Sequence, residues 1–144
     1  RMVQKLLEDP AKIGVVYEDY DIHDLNTGKI VREYKQPYSK DVLMGECIVH
    51  SNALINKLAF AATNEETGFY DVNLHGPATG EFIGCSEDYD LWLRISEQFM
   101  IVHIPESLAK ANITGHNQTT NVTSEIFYNN FEYMMSKMRK RMNG

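Results

Sequence analysis

Apolar positions along the chain change period several times, and each change predicts an element. Residues 2–8 read as the end of a helix stopped by Pro10, since proline cannot continue the hydrogen-bond ladder. Residues 13–20 form an apolar-to-mixed run rich in Val and Tyr, which predicts a strand. Asn26-Thr27-Gly28 is a turn signal, because Asn and Gly tolerate positive φ. Lys29-Ile30-Val31-Arg32-Glu33-Tyr34 reads as the return strand of a hairpin, with Ile30 and Tyr34 on one face and Val31 on the other. A further strand is expected over residues 43–50, a short helix over 52–62, and a loop over 75–84, where Pro77 and three glycines break regular structure. Residues 99–104 predict another strand. The final helix, residues 123–142, carries Phe127, Phe131, Met134, Met138 and Met142 on one face, a stripe read as packing surface. No internal repeat or low-complexity segment interrupts this order.

The alternation of strands and helices predicts an α/β fold, and composition bounds it. With 43% hydrophobic residues in 144, the chain can bury one core and is too short for two comfortable domains. Its formal charge of −6, from 14 basic and 20 acidic residues, argues against nucleic-acid binding, which needs a basic stripe to displace phosphate counterions. No apolar run approaches the ~18 residues that span a bilayer, and no signal peptide is visible, so a cytoplasmic location is expected. Cys47 and Cys85, without close spacing, suit buried thiols in a reducing compartment rather than a disulfide framework.

The most informative chemistry lies in Ser86-Glu87-Asp88-Tyr89-Asp90-Leu91-Trp92-Leu93-Arg94-Ile95-Ser96. Two adjacent carboxylates stand at the start of an amphipathic helical run that carries the only Trp. Acidic and hydroxyl residues in that place cap a helix by satisfying its free N–H groups and favouring its dipole. The same placement can hold a carboxylate rigidly as a general base. Asp90 and Arg94, four apart, predict a structural ion pair. Trp92 is read as a core residue, with stacking on a sugar ring as the alternative.

The string Glu-Asp-Tyr-Asp-Leu-Trp-Leu-Arg resembles the acidic motif of family 2 glycosyltransferases, GT-A-fold enzymes that transfer a sugar from a nucleotide-sugar donor. Asp9-Pro10-Ala11-Lys12-Ile13-Gly14-Val15-Val16-Tyr17 is similar to the strand that follows the nucleotide-binding half in that family. Thr67-Gly68-Phe69-Tyr70-Asp71 resembles its Gly-x-Phe-Asp segment with the aromatic order altered. Phe99-Met100-Ile101-Val102-His103-Ile104-Pro105-Glu106-Ser107-Leu108 looks like the strand and Pro-terminated turn after the motif helix, and Gly115 to Thr119 occupies the place of the family's late His. The likeness covers roughly residues 1–120, in the family's order.

The resemblance implies a partial GT-A-like fold, a mixed sheet with flanking helices over residues 1–122, with a C-terminal helix at 123–144 packed on it. It implies inverting transfer with Asp88 as base and Glu87 orienting the site or binding acceptor. It also implies a nucleotide-sugar donor, a sugar or lipid-linked acceptor, and a divalent cation, Mn or Mg. That cation would be held mostly by an N-terminal half carrying an Asp-x-Asp motif, with His116 as the ligand on this side. Asp19-Tyr20-Asp21 spells Asp-x-Asp but follows the matching strand, so it is expected in a hairpin. An aromatic-Arg pair usual before the late His is replaced here by Lys110-Ala111-Asn112-Ile113-Thr114-Gly115. The chain starts on Arg, which fits the C-terminal, acceptor-side portion of a longer enzyme; the face left by the other half is expected to be apolar and to favour a homo-oligomer.

His23, His50, His75 and His103 show no ligand spacing and are assigned no chemistry. Asn112-Ile113-Thr114, Asn117-Gln118-Thr119 and Asn121-Val122-Thr123 match glycosylation acceptors but are read as loop composition. Lys137, Arg139, Lys140 and Arg141 suit the negative end of the last helix, with contact to an anionic membrane surface as the sharper alternative. The rival in function is a non-catalytic binding or assembly module that keeps the fold without the chemistry. A nucleotidyltransferase or other metal-dependent enzyme is a further rival.

Overall fold

Strand β1 (Ile13–Asp24) is the spine of a mixed four-stranded sheet. The computed structural model describes residues 1–50, 52–63, 69–71, 73–74, 86–114 and 123–143. On one edge β1 pairs antiparallel with β2 (Ile30–Glu33) and with the two-residue β3 (Leu54–Ile55). Its other edge runs parallel to β4 (Met100–Ile113) along its whole length. Both long strands exceed the lengths expected from sequence, because each continues past its apolar run into a polar half supported by its neighbour. The β1–β2 turn is fixed by Asp24, whose carboxylate accepts from the N–H groups of Asn26 and Thr27, and by Gly28 at φ 71°. Asp19, Tyr20 and Asp21 lie on the β1 arm of that hairpin, as expected.

Three register shifts shape the β1–β4 ladder. Gly14 is the extra residue where Ile13 pairs with Met100 and Val15 with Ile101. A Cβ there would meet Phe99 Cβ at 2.6 Å and Ile95 Cγ2 at 2.8 Å, so only glycine allows this approach. Further along, Glu18 pairs with Ile104, Asp19 with Ser107 and Tyr20 with Ala109, so Pro105 and Glu106, and then Leu108, bulge out of β4. Proline has no N–H to give a ladder and is accommodated at such a bulge.

Helix α1 (Met2–Leu6) lays Met2 and Leu6 on Ile13, Val16 and Ile104 on one sheet face. The larger core lies on the other face, where Val15, Tyr17 and Ile101 meet helices α4 (Glu87–Gln98) and α5 (Ser124–Asn143). Tyr89, Leu91, Trp92, Leu93 and Ile95 of α4 are buried there, so Trp92 is a core residue. The α5 stripe is buried only at its centre. Met134 and Met138 are buried and Phe131 packs at the margin, while Phe127 and Met142 are exposed and Met135 and Asn130 are buried instead. Helix α5 thus packs on the rest of the fold through its middle turns.

The strand expected over residues 43–50 does not form. Helix α2 (Lys40–Leu43), capped by Ser39, ends the preceding segment, and Ile48 and Val49 are buried without joining a ladder. The apolar run signals burial alone. The helix expected over residues 52–62 is shorter: α3 (Lys57–Ala62) begins after Asn56. Buried Asn56 caps it by accepting from Leu58 N–H and donates to the carbonyls of Pro10 and Ile13, which ties α3 to the start of β1. Asn112 and Ile113 are strand residues, not loop. Asn117-Gln118-Thr119, Asn121, Val122, Cys85 and the whole 75–84 loop lie outside the described residues. Among the described residues no helix is long and apolar enough to cross a membrane.

Candidate functional site

The acidic motif begins α4 as its sequence predicts. Ser86 occupies the N-cap position without a side-chain cap bond. Glu87 Oε instead accepts from Ser86 N–H at 3.1 Å, and Asp88 Oδ1 accepts from Tyr89 N–H at 2.8 Å. Backbone N–H groups of Asp88 and Tyr89 thus hold the carboxylate at the helix start, so capping and a fixed carboxylate are compatible here. Burial, and then the neighbouring Glu87 charge, push the Asp88 carboxyl above the usual carboxylate range. Among the described residues Asp88 has no cation partner.

Asp90, two residues on, is spent differently. It is fully buried and accepts from Arg94 Nε at 2.9 Å, the expected i, i+4 pair. Arg94 also donates to the carbonyls of Thr63 and Phe69. Lys137 of α5 lies 3.3 Å from Asp90 and 2.6 Å from Asp71, and Tyr133 OH donates to Asp71 as well. Burial works to raise the Asp71 carboxyl, but Lys137, the Asn73 N–H and Tyr133 OH together hold it below its ordinary value. This network locks α4 against α5, α3 and residues 69–71. Sequence spacing showed only its Asp90–Arg94 member, and Lys137 is an interior cation rather than part of a surface cluster.

Segment 34–50 closes over the front of α4. Tyr89 OH donates to Leu43 O at 2.6 Å, and Cys47 lies within electrostatic range of both Asp88 and Lys35. Burial, with the Asp88 charge, pushes the Cys47 thiol up to about 12, so it is no nucleophile at neutral pH.

Two polar pairs on β1 were not apparent from sequence. His103 Nε2 donates to Asp19 Oδ1 at 2.9 Å, and the His103 ring stacks on Tyr17 with centroids 4.8 Å apart. Parallel pairing of β1 with β4 creates this contact between residues 84 apart in sequence. The available signal was a polar residue within each apolar strand. The second pair is Glu18 and His50. His50 Nδ1 accepts from Asn52 N–H at 3.1 Å, which puts the proton on Nε2, and Nε2–H donates to Glu18 O at 2.9 Å. The ring thus serves the β1 edge in the gap between β3 and β2. Burial lowers the His50 pKa and keeps it neutral, so its 3.8 Å approach to Glu18 Oε1 is no ion pair. Glu18 is fully buried with neither carboxyl oxygen hydrogen-bonded among the described residues, and burial raises its pKa to about 7.

His116 lies outside the described residues. Among the described residues, no three His, Cys, Asp or Glu side chains gather as a metal ligand set. No family model matches the chain, and no curated protein matches it.

Proposed function

We propose that the chain is the acceptor-side portion of a GT-A-like inverting glycosyltransferase with Asp88 as its general base. One observation carries the reading. Of the three acidic residues that open α4, Asp90 is locked in a buried ion pair, whereas Asp88 is half-buried, raised in pKa and free of any described cation. The resemblance of residues 86–96 to the family 2 motif supports the same assignment.

In this reading an acceptor hydroxyl gives its proton to Asp88 as its oxygen attacks the anomeric carbon. The carbon–oxygen bond to the nucleoside diphosphate breaks, and that group departs with the bonding electrons. Glu87 orients the site and keeps Asp88 basic. The α4–α5 network fixes the helix on which Asp88 stands. The nucleotide-sugar donor, the divalent cation and the role of His116 come with the family resemblance.

The test is nucleoside diphosphate release from a panel of nucleotide sugars with Mn²⁺. It compares this chain with one extended upstream to include the nucleotide-binding half, each with and without Asp88→Asn. Release by the extended chain, reduced about 10²-fold or more by the substitution, is expected. Folded protein that releases nothing from any sugar would favour the binding module.

A further inference from the structure

A second feature of the α4 face lies outside the acidic motif. Segment 34–38 crosses the sheet there, pinned by Lys35 N–H to Asp19 Oδ1 at 2.9 Å and by Tyr17 OH to Gln36 O at 2.6 Å. Between this segment and the first half of β4 opens a cleft of about 520 Å³, lined among others by Asp19, Tyr34, Lys35, Tyr38, His103 and Pro105. That volume is within the ~300–1,000 Å³ range of small-molecule sites.

The floor of the cleft is rigid and polar. The Asp19–His103 pair is nearly buried, at 6% and 8% side-chain exposure, and is braced by the stacked Tyr17 ring. Asp19 Oδ1 takes two donors, while Oδ2 receives no hydrogen bond from any described residue. Around that floor stand flat apolar surfaces. Tyr34 is 74% exposed, a large aromatic left in water, and Tyr38, Pro37 and Pro105 continue the wall. Aromatic walls around fixed hydroxyl-binding groups suit a neutral polyol, whose C–H faces stack and whose O–H groups donate to a carboxylate. A nucleoside diphosphate fits poorly, because Lys35 is the one lysine or arginine among the described residues lining the cleft, and it faces a fixed carboxylate.

Cys47 lies within electrostatic range of both Asp88 and Lys35, and Lys35 lines the cleft.

We propose that this cleft is a saccharide-binding site, with the Asp19–His103 pair holding sugar hydroxyls and Tyr34 stacking on the ring. Its assignment as the acceptor subsite rests on the transferase reading; its binding of sugar does not. The experiment is an amide and aromatic NMR titration of the chain with the methyl glycosides of glucose, galactose, mannose and N-acetylglucosamine, and with UDP alongside. At least one glycoside is expected to shift Tyr34, Lys35, Tyr38 and His103. Tyr34→Ala, at an exposed position, is expected to weaken that binding about fivefold, while Tyr128→Ala, an exposed aromatic of α5 outside the cleft, leaves it unchanged. No shift in these residues with any glycoside, equal binding by Tyr34→Ala, or shifts produced by UDP in place of sugars would overturn the proposal. Sugar binding without transfer by the extended chain would leave the cleft standing and remove the transferase.

Discussion

Replacing Arg94 with Met should unfasten the support of α4. Arg94 is 3% exposed and, among the described residues, ties the Asp90 carboxylate and the carbonyls of Thr63 and Phe69. Methionine fills much of the same volume, so little cavity is added and the loss is electrostatic. Breaking a buried pair from one side costs ~3–5 kcal/mol, because the remaining charge stays desolvated. Asp90 keeps Lys137 at 3.3 Å, which moderates that figure, whereas two carbonyls lose a donor at ~1–3 kcal/mol each where they stay dry. About 4 kcal/mol is therefore expected, a large share of the ~5–15 kcal/mol that holds a domain together. At ~2–4 °C per kcal/mol for a chain near this size, Tm should fall by about 10–15 °C. Urea unfolding followed by circular dichroism gives the number directly. Asp90→Leu added to Arg94→Met should recover part of it, since the stranded charge is then gone. A loss below ~1 kcal/mol, the worth of an exposed pair, would refute the network as the anchor of α4.

Other perturbations test separate parts of the structure. Glu18 has a folded pKa of about 7 against 4.5 when free, so the native state holds a proton that the unfolded chain releases. Stability should therefore be full below pH 4.5 and decline by about 3 kcal/mol as pH rises to 7, and Glu18→Gln should flatten that decline in chemical denaturation across this window. Parallel profiles for the two proteins would contradict the assignment. Gly14→Ala should cost ~1–3 kcal/mol through overpacking against Phe99 and Ile95, read as a lower urea midpoint. If Asp88 is the base, kcat/KM should rise with pH along a limb whose midpoint lies above the ordinary carboxylate value, because the active form is the ionised one. A midpoint at or below that value would speak against the half-buried setting of Asp88.

Elements with strong local signals were legible from the chain. The hairpin around Asn26-Thr27-Gly28, the motif helix after Ser86 and the long final helix all rest on short-range chemistry. The segment around Ile48 and Val49 was misread because an apolar run records burial, and only tertiary pairing makes it a strand. The Asp90–Arg94 pair followed from helical spacing. Its partners Lys137 and Asp71 did not, since they come from elements that meet only in the folded core. Likewise no spacing rule joins Asp19 to His103; their proximity is a property of sheet register.

The place of β1 in the sheet bears on how the protein comes into being. Every other strand pairs with β1, but its longest partner, β4, is synthesised roughly ninety residues later. During that interval a nascent chain can close the β1–β2 hairpin and still leave the opposite edge of β1 open. Val15, Val16 and Tyr17, the most deeply buried stretch of the finished fold, would spend that time without their final neighbours. The strand that organises the finished sheet is thus also its point of exposure during biosynthesis.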